Sequence, residues 1–138
     1  MTATLLTPRT KKLNLYSDFR KDLLISPVSK DLALLKDEEA IKQSLRNLIL
    51  TDPGERLMQP RLGAGIRELL FENITPGTLK LIERRVESTI ESYEPRVDLI
   101  DISASSNFDD NAVQIKVRFY VRNVEAALQL DVILERIR

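Results

Sequence analysis

From Val113 to Val121 every second residue is apolar. Val113, Ile115, Val117, Phe119 and Val121 alternate with Gln114, Lys116, Arg118 and Tyr120, and Arg122 continues the polar set. A strand's side chains point to opposite faces with a period of two, so this stretch predicts an inner strand buried on one face. Leu128, Leu130, Val132 and Leu134 repeat the alternation and predict a partner strand over 128–137, with Ile133 and Ile137 off its main apolar face. A four-residue connection, 123–126, would set Val121 opposite Leu128 and Phe119 opposite Leu130. The same register puts Arg118 opposite Asp131 on the outer face. Upstream, Ile100, Ile102 and Ala104 alternate towards a turn over 107–111, which adds a third strand.

The earlier half carries a different period. Ala40, Ile41, Leu45, Leu48 and Ile49 recur on one face at helical spacing, predicting a helix over 37–50. Asp37 can accept from first-turn amides, and Glu38 and Glu39 suit the positive end of the dipole. Thr51-Asp52-Pro53-Gly54 ends it, because proline cannot continue the ladder. A loop with Pro60, Gly63 and Gly65 leads to a short helical turn over 66–71. A second long helix starts at Thr75, with Pro76 where a missing N–H costs nothing. Leu79, Ile82, Val86 and Ile90 form its apolar stripe, and Pro95 stops it. Leu32 and Leu34 mark a short strand before the first helix. Helices followed by an antiparallel meander predict a single α+β domain over 13–138. Residues 1–12, polar, basic and holding Pro8, read as an N-terminal arm.

Composition narrows the chemistry. The 138 residues fit one ordinary domain, and 43% hydrophobic with 30% charged residues is globular usage. Lysine plus arginine and aspartate plus glutamate are both 21, so no global field draws nucleic acid or an anionic membrane. No apolar run approaches the ~18 residues of a membrane span, and the first residues lack the apolar core of a signal peptide. The chain has no cysteine and no histidine, which removes thiolate chemistry, the commonest general base and the usual transition-metal ligands. No cofactor or metal is expected. Gly63-Ala64-Gly65 lacks the Gly-Lys-Ser/Thr of a phosphate loop and suits positive φ or close backbone approach instead. Glu83, Glu87 and Glu91 lie four apart on one helix face beside Arg84 and Arg85, the pattern of a solvated stripe. The basic strand face of Lys116, Arg118 and Arg122 is offset by Asp131 and Glu135, which favours ion pairing over nucleic acid.

Three stretches in order carry a resemblance. They are Glu39-Ala40-Ile41-Lys42-Gln43-Ser44-Leu45-Arg46-Asn47-Leu48-Ile49-Leu50-Thr51 with Pro53-Gly54-Glu55-Arg56; Pro60 and Gly63 with Arg67-Glu68-Leu69-Leu70-Phe71-Glu72; and Tyr93-Glu94-Pro95-Arg96-Val97. Tyr16-Ser17-Asp18-Phe19 is similar to the same family's opening segment. Together they resemble the baseplate wedge and sheath-initiator proteins of contractile phage tails, whose relatives occur in type VI secretion and other contractile injection machines. Glu94-Pro95-Arg96 matches the family's usual identifying triplet. Arg61-Leu62 departs from it, since many members carry an acidic residue and phenylalanine there.

The resemblance implies a structural subunit of a virion tail baseplate, assembled in the host cytoplasm. Its partners would be other wedge proteins, sheath subunits and tail tube proteins. Glu94, Pro95 and Arg96 would dock on wedge proteins, with Glu55 and Arg56 adding a second charged pair to that surface. Proline fixes a stiff corner there, and an arginine fork can grip a partner carboxylate. The last strand, with Leu128, Leu130, Val132, Ile133, Leu134 and Ile137, would template the sheath by strand pairing. Pro53, Gly54, Gly63 and Gly65 would shape the loop between the helices. Two alternatives stand beside this reading. One is a tail-associated muralytic glycosidase, since some family members have carried a lysozyme label. The other is the equivalent subunit of a secretion machine. A glycosidase needs two carboxyl groups flanking one sugar bond, and no pair in the sequence stands out.

Overall fold

A computed structural model describes residues 15–107, 112–122 and 126–135. The predicted arm over 1–12, most of the turn after Asn107, most of the 123–126 connection and Ile137 lie outside these residues. The chain divides into two compact units between Ala40 and Ile41.

In the first unit, strands β1 (Ser17–Phe19) and β2 (Leu34–Lys36) pair antiparallel, with a bridge between Ile25 and Leu32 between them in sequence. The Asp37 Oδ1 accepts from the backbone N–H of Leu15 and Tyr16 at 2.8 and 3.2 Å, and Asp37 has φ 46°. Helix α1 (Glu38–Leu50) follows. All five residues of its predicted stripe are buried.

The second unit begins within α1, at Ile41, and holds the rest. The short helix α2 (Ile66–Leu70) precedes the long helix α3 (Pro76–Tyr93). Thr75 caps α3 by accepting from the Thr78 N–H, and Pro76 takes the first turn, as its spacing predicts. Ile82, Val86 and Ile90 are fully buried and Leu79 half-buried, with Thr89 completing the inward face. The strands β3 (Val97–Asn107), β4 (Ala112–Val121) and β5 (Ala127–Glu135) form one antiparallel sheet in that order. The α+β class expected from the pattern is the class observed.

β4 is the central strand, and its five apolar positions are buried to 1% exposure or less. Fully burying such side chains contributes roughly 1.5–3 kcal/mol each, so this stripe organises the core. Two details of the sheet differ from the pattern. Phe119 lies opposite Leu128, Val117 opposite Leu130 and Lys116 opposite Asp131, so β5 sits two residues away from the expected register. A two-residue slip keeps every side chain on its face, so alternation cannot distinguish the two arrangements. In β3 the register shifts between Leu99 and Asp101. The extra residue, Ile100, turns outward while Val97 and Leu99 before it and Ile102 after it face inward. Ile100, Ile102 and Ala104 therefore do not share one face.

Candidate assembly interfaces

The triplet after α3 is a closed clamp. Glu94 is only 4% exposed. Arg96 donates to it through Nε to Oε1 at 2.5 Å and Nη2 to Oε2 at 2.7 Å. The Ser44 hydroxyl, from α1, donates to Oε2 at 2.8 Å. Two residues apart, the charges reach each other because Pro95 turns the chain between them. Burial pushes the Glu94 carboxyl up, but the Arg96 and Ser44 hydrogen bonds and the guanidinium charge outweigh it and hold it below the ordinary 4.5. Glu94 points inward, and Arg96, 35% exposed as a side chain, spends one bidentate edge on it. Ser44, 50 residues away, belongs to this cluster and gave no signal as a lone serine on a helix.

The loop between α1 and α2 is held by its backbone. Thr51 O accepts from the Ala64 N–H at 3.1 Å, and a Cβ on Gly63 would lie 2.2 Å from that oxygen. Gly63 has φ 121°, and Gly65 at φ 59° opens α2, so both glycines serve the backbone as their spacing suggested. Gly54, at φ 92°, donates to Pro60 O at 2.8 Å and closes the outer turn after Pro53. Glu55 Oε2 accepts from the Asp52 N–H, and Arg67 lies 3.6 Å from Glu55 and 3.5 Å from Asp52. Glu55 thus works inside the loop, while Arg56 is exposed. The tip presents Leu57 and Met58 at 99% and 95% exposure. Tyr93 joins this loop to the corner, donating its hydroxyl to Arg61 O at 3.0 Å. Two apolar residues between charges carry no periodicity, so only the structure singles them out.

β5 is an edge strand. Leu130, Val132 and Leu134 are buried and Leu128 half-buried, while Ile133 stands 62% exposed on the outer face. Along β5 that face otherwise carries Ala127, Gln129, Asp131 and Glu135. Arg118 pairs with Asp101 at 2.8 Å and Arg122 with Asp98 at 3.3 Å, so the partners of the basic strand come from β3 and not β5. The opposite edge of the sheet lies along α3, where Glu83 Oε1 accepts from the Ala104 N–H at 3.0 Å. Burial raises the Glu83 carboxyl, and the Lys80 and Ala104 hydrogen bonds then bring it below 4.5. Glu83 is therefore no member of a solvated stripe; Glu87 and Glu91 are exposed.

The family model of baseplate wedge protein gp25 matches residues 35–126, two thirds of the chain, from within β2 to the residue before β5. The chain belongs to the baseplate wedge protein gp25 family. It is 35% identical over 107 residues to baseplate wedge protein gp25 of Enterobacteria phage T4, covering 78% of this chain and 80% of that one. A chain of the anti-feeding prophage baseplate is similar at 32% identity and a TM-score of 0.69, over 80% of this chain and 88% of its own. A Geobacter sulfurreducens protein named provisionally as a tail lysozyme is similar at 31% identity and a TM-score of 0.67, over 73% and 92%.

That last label sharpens the question of catalysis in a gp25-family chain. A cleft of about 520 Å³ lies beside α3, lined by Pro53, Ala64, Arg84, Arg85 and Ser88 among others. Its lining holds one carboxylate, Glu68, 3.8 Å from Arg85. Glycoside hydrolysis asks for two facing carboxyl groups, one of them with a raised pKa. Glu83 and Glu94 are instead held below the ordinary carboxylate value by their hydrogen-bond partners.

Proposed function

We propose that the chain is a structural subunit of a contractile-tail baseplate, acting as one assembly domain over residues 13–138 and cleaving no peptidoglycan. It docks on wedge proteins through the rim of the Tyr93–Arg96 corner and the neighbouring loop tip. It then offers β5 to the first sheath subunits, which add strands along it. Assembly takes place in the host cytoplasm, around the tail tube.

The observation that carries this reading is the asymmetry of the sheet. β3 lies against α3, whereas β5 ends the sheet with an isolated apolar residue, Ile133, on its outer face. An edge strand gives main-chain hydrogen bonds for affinity, and its side chains set register. The decisive experiment is Ile133→Lys in the assembled particle, with folding checked by circular dichroism. The expected product is baseplates that contain the subunit and bear tubes without sheath. Normal sheaths would remove β5 as the initiating edge. A cell-wall turbidity assay tests the other half: clearing abolished by changing one glutamate would establish the glycosidase reading.

A further inference from the structure

The register fixes which backbone groups of β5 face outward. In an antiparallel ladder, opposed residues alternate between pairs that exchange hydrogen bonds and pairs whose N–H and C=O point away. Ala104 lies opposite Ile115, yet its N–H goes to Glu83, so this pair is of the second kind. Ile115 then turns its amide groups towards β5, where it faces Val132. By alternation Leu130, Val132 and Leu134 bond to β4, and Gln129, Asp131 and Ile133 present their N–H and C=O outward. One independent contact agrees. Arg46, on α1, donates Nη2 to the Asp131 carbonyl at 3.5 Å.

Each edge of the sheet thus carries one charged side chain from a helix, with opposite chemistry. Glu83 is an acceptor placed on a donor of β3. It is mostly buried, 3.0 Å from the Ala104 N–H, and its other oxygen is held by Lys80 at 2.7 Å. Arg46 is a donor placed on an acceptor of β5. It is exposed, its contact is long, and among the described residues it has no other hydrogen bond or ion pair. The first is a lock with two supports; the second can swing into water at little cost.

We infer that Arg46 is a removable guard of the β5 edge, covering the Asp131 carbonyl in the isolated chain and yielding it when an extended strand of an assembly partner pairs along 129–133. A charged side chain over an edge hinders pairing with stray copies of the same chain, which is the hazard of any open edge. This inference rests on the strand-pairing reading of β5.

The test is sedimentation velocity of the purified chain over a concentration series. Arg46→Ala should raise the self-association constant roughly three- to tenfold, the scale of losing one exposed hydrogen bond. Adding Ile133→Lys should return it to the level of the native chain, and Arg46→Lys should fall between. Glu83→Gln, on the locked edge, should produce no association that Ile133→Lys relieves. Arg46→Ala behaving as the native chain would overturn the guard, and so would association that Ile133→Lys leaves untouched. Sheath growth on Ile133→Lys baseplates would instead fail the strand-pairing reading, so the two failures are distinct.

Discussion

The Tyr93–Arg96 corner and the Pro53–Leu62 loop are both short, charged and turned by proline, yet they are built in opposite ways. In the corner the charges satisfy each other: Glu94 is buried, Arg96 clamps it, and Ser44 fills a remaining site on the carboxylate. In the loop the backbone does the holding, through Thr51, Ala64, Gly54 and Pro60, and the tip side chains are left outside. The corner therefore spends its chemistry on stability and the loop on presentation. Charge in a sequence does not say which of the two it serves.

The largest effect should come from breaking the loop's backbone. Gly63→Ala puts a methyl 2.2 Å from the Thr51 carbonyl oxygen at a φ that alanine rarely adopts. Strain and overpacking together should cost roughly 3 kcal/mol or more, read as a lower midpoint in urea denaturation. An unchanged midpoint would mean that the loop is not anchored at Thr51.

Next is the clamp. Arg96→Ala removes the guanidinium and leaves the Glu94 carboxylate buried with only the Ser44 hydroxyl and the backbone N–H of residue 96. Breaking a buried pair costs about 3–5 kcal/mol, and the partial exposure of Arg96 reduces this to about 2–3 kcal/mol. The variant should stay folded with a lower thermal midpoint. A docking role for Arg96 then has to be measured at a temperature where the variant is folded. No loss of stability would mean that the clamp is not formed in solution.

The same cluster gives a pH signature. Glu94 is held below 4.5 in the folded chain, so its stabilisation is complete above that value and is lost as pH falls through the lower folded value. Thermal midpoints should drop as pH falls below about 4.5 and through the lower folded value, and Glu94→Gln should flatten that drop while lowering the midpoint at neutral pH. An equally steep acid limb in the variant would assign the effect to other carboxyls, of which Glu83 is the next candidate.

The smallest effect on stability should come from the loop tip. Leu57→Ser with Met58→Ser removes side chains that touch almost nothing, so stability should move by no more than about 0.5 kcal/mol. Incorporation into baseplates should nonetheless fall, measured by the subunit's abundance in purified particles. Full incorporation would take the tip out of the docking surface and sharpen the contrast from the other side.

The residue pattern by itself determined the elements and their buried faces. Helical spacing marked the stripes of α1 and α3, Thr75-Pro76 marked where α3 begins, and alternation marked β4 as the inner strand. These are local properties, because side-chain period and capping depend on neighbours within a few residues. Gly63 was legible too, since only a backbone demand explains glycine there. The tertiary structure alone decided the rest. Register between β4 and β5 is degenerate under a two-residue slip, and the bulge at Ile100 changes parity without any change of residue type. The partners of Glu94, Glu83 and Asp131 come from 50, 21 and 85 positions away, through Ser44, Ala104 and Arg46. Whether a charge becomes a clamp, a lock or a guard depends on which backbone and side-chain groups folding brings within about 3 Å of it, and one-dimensional spacing does not encode that distance.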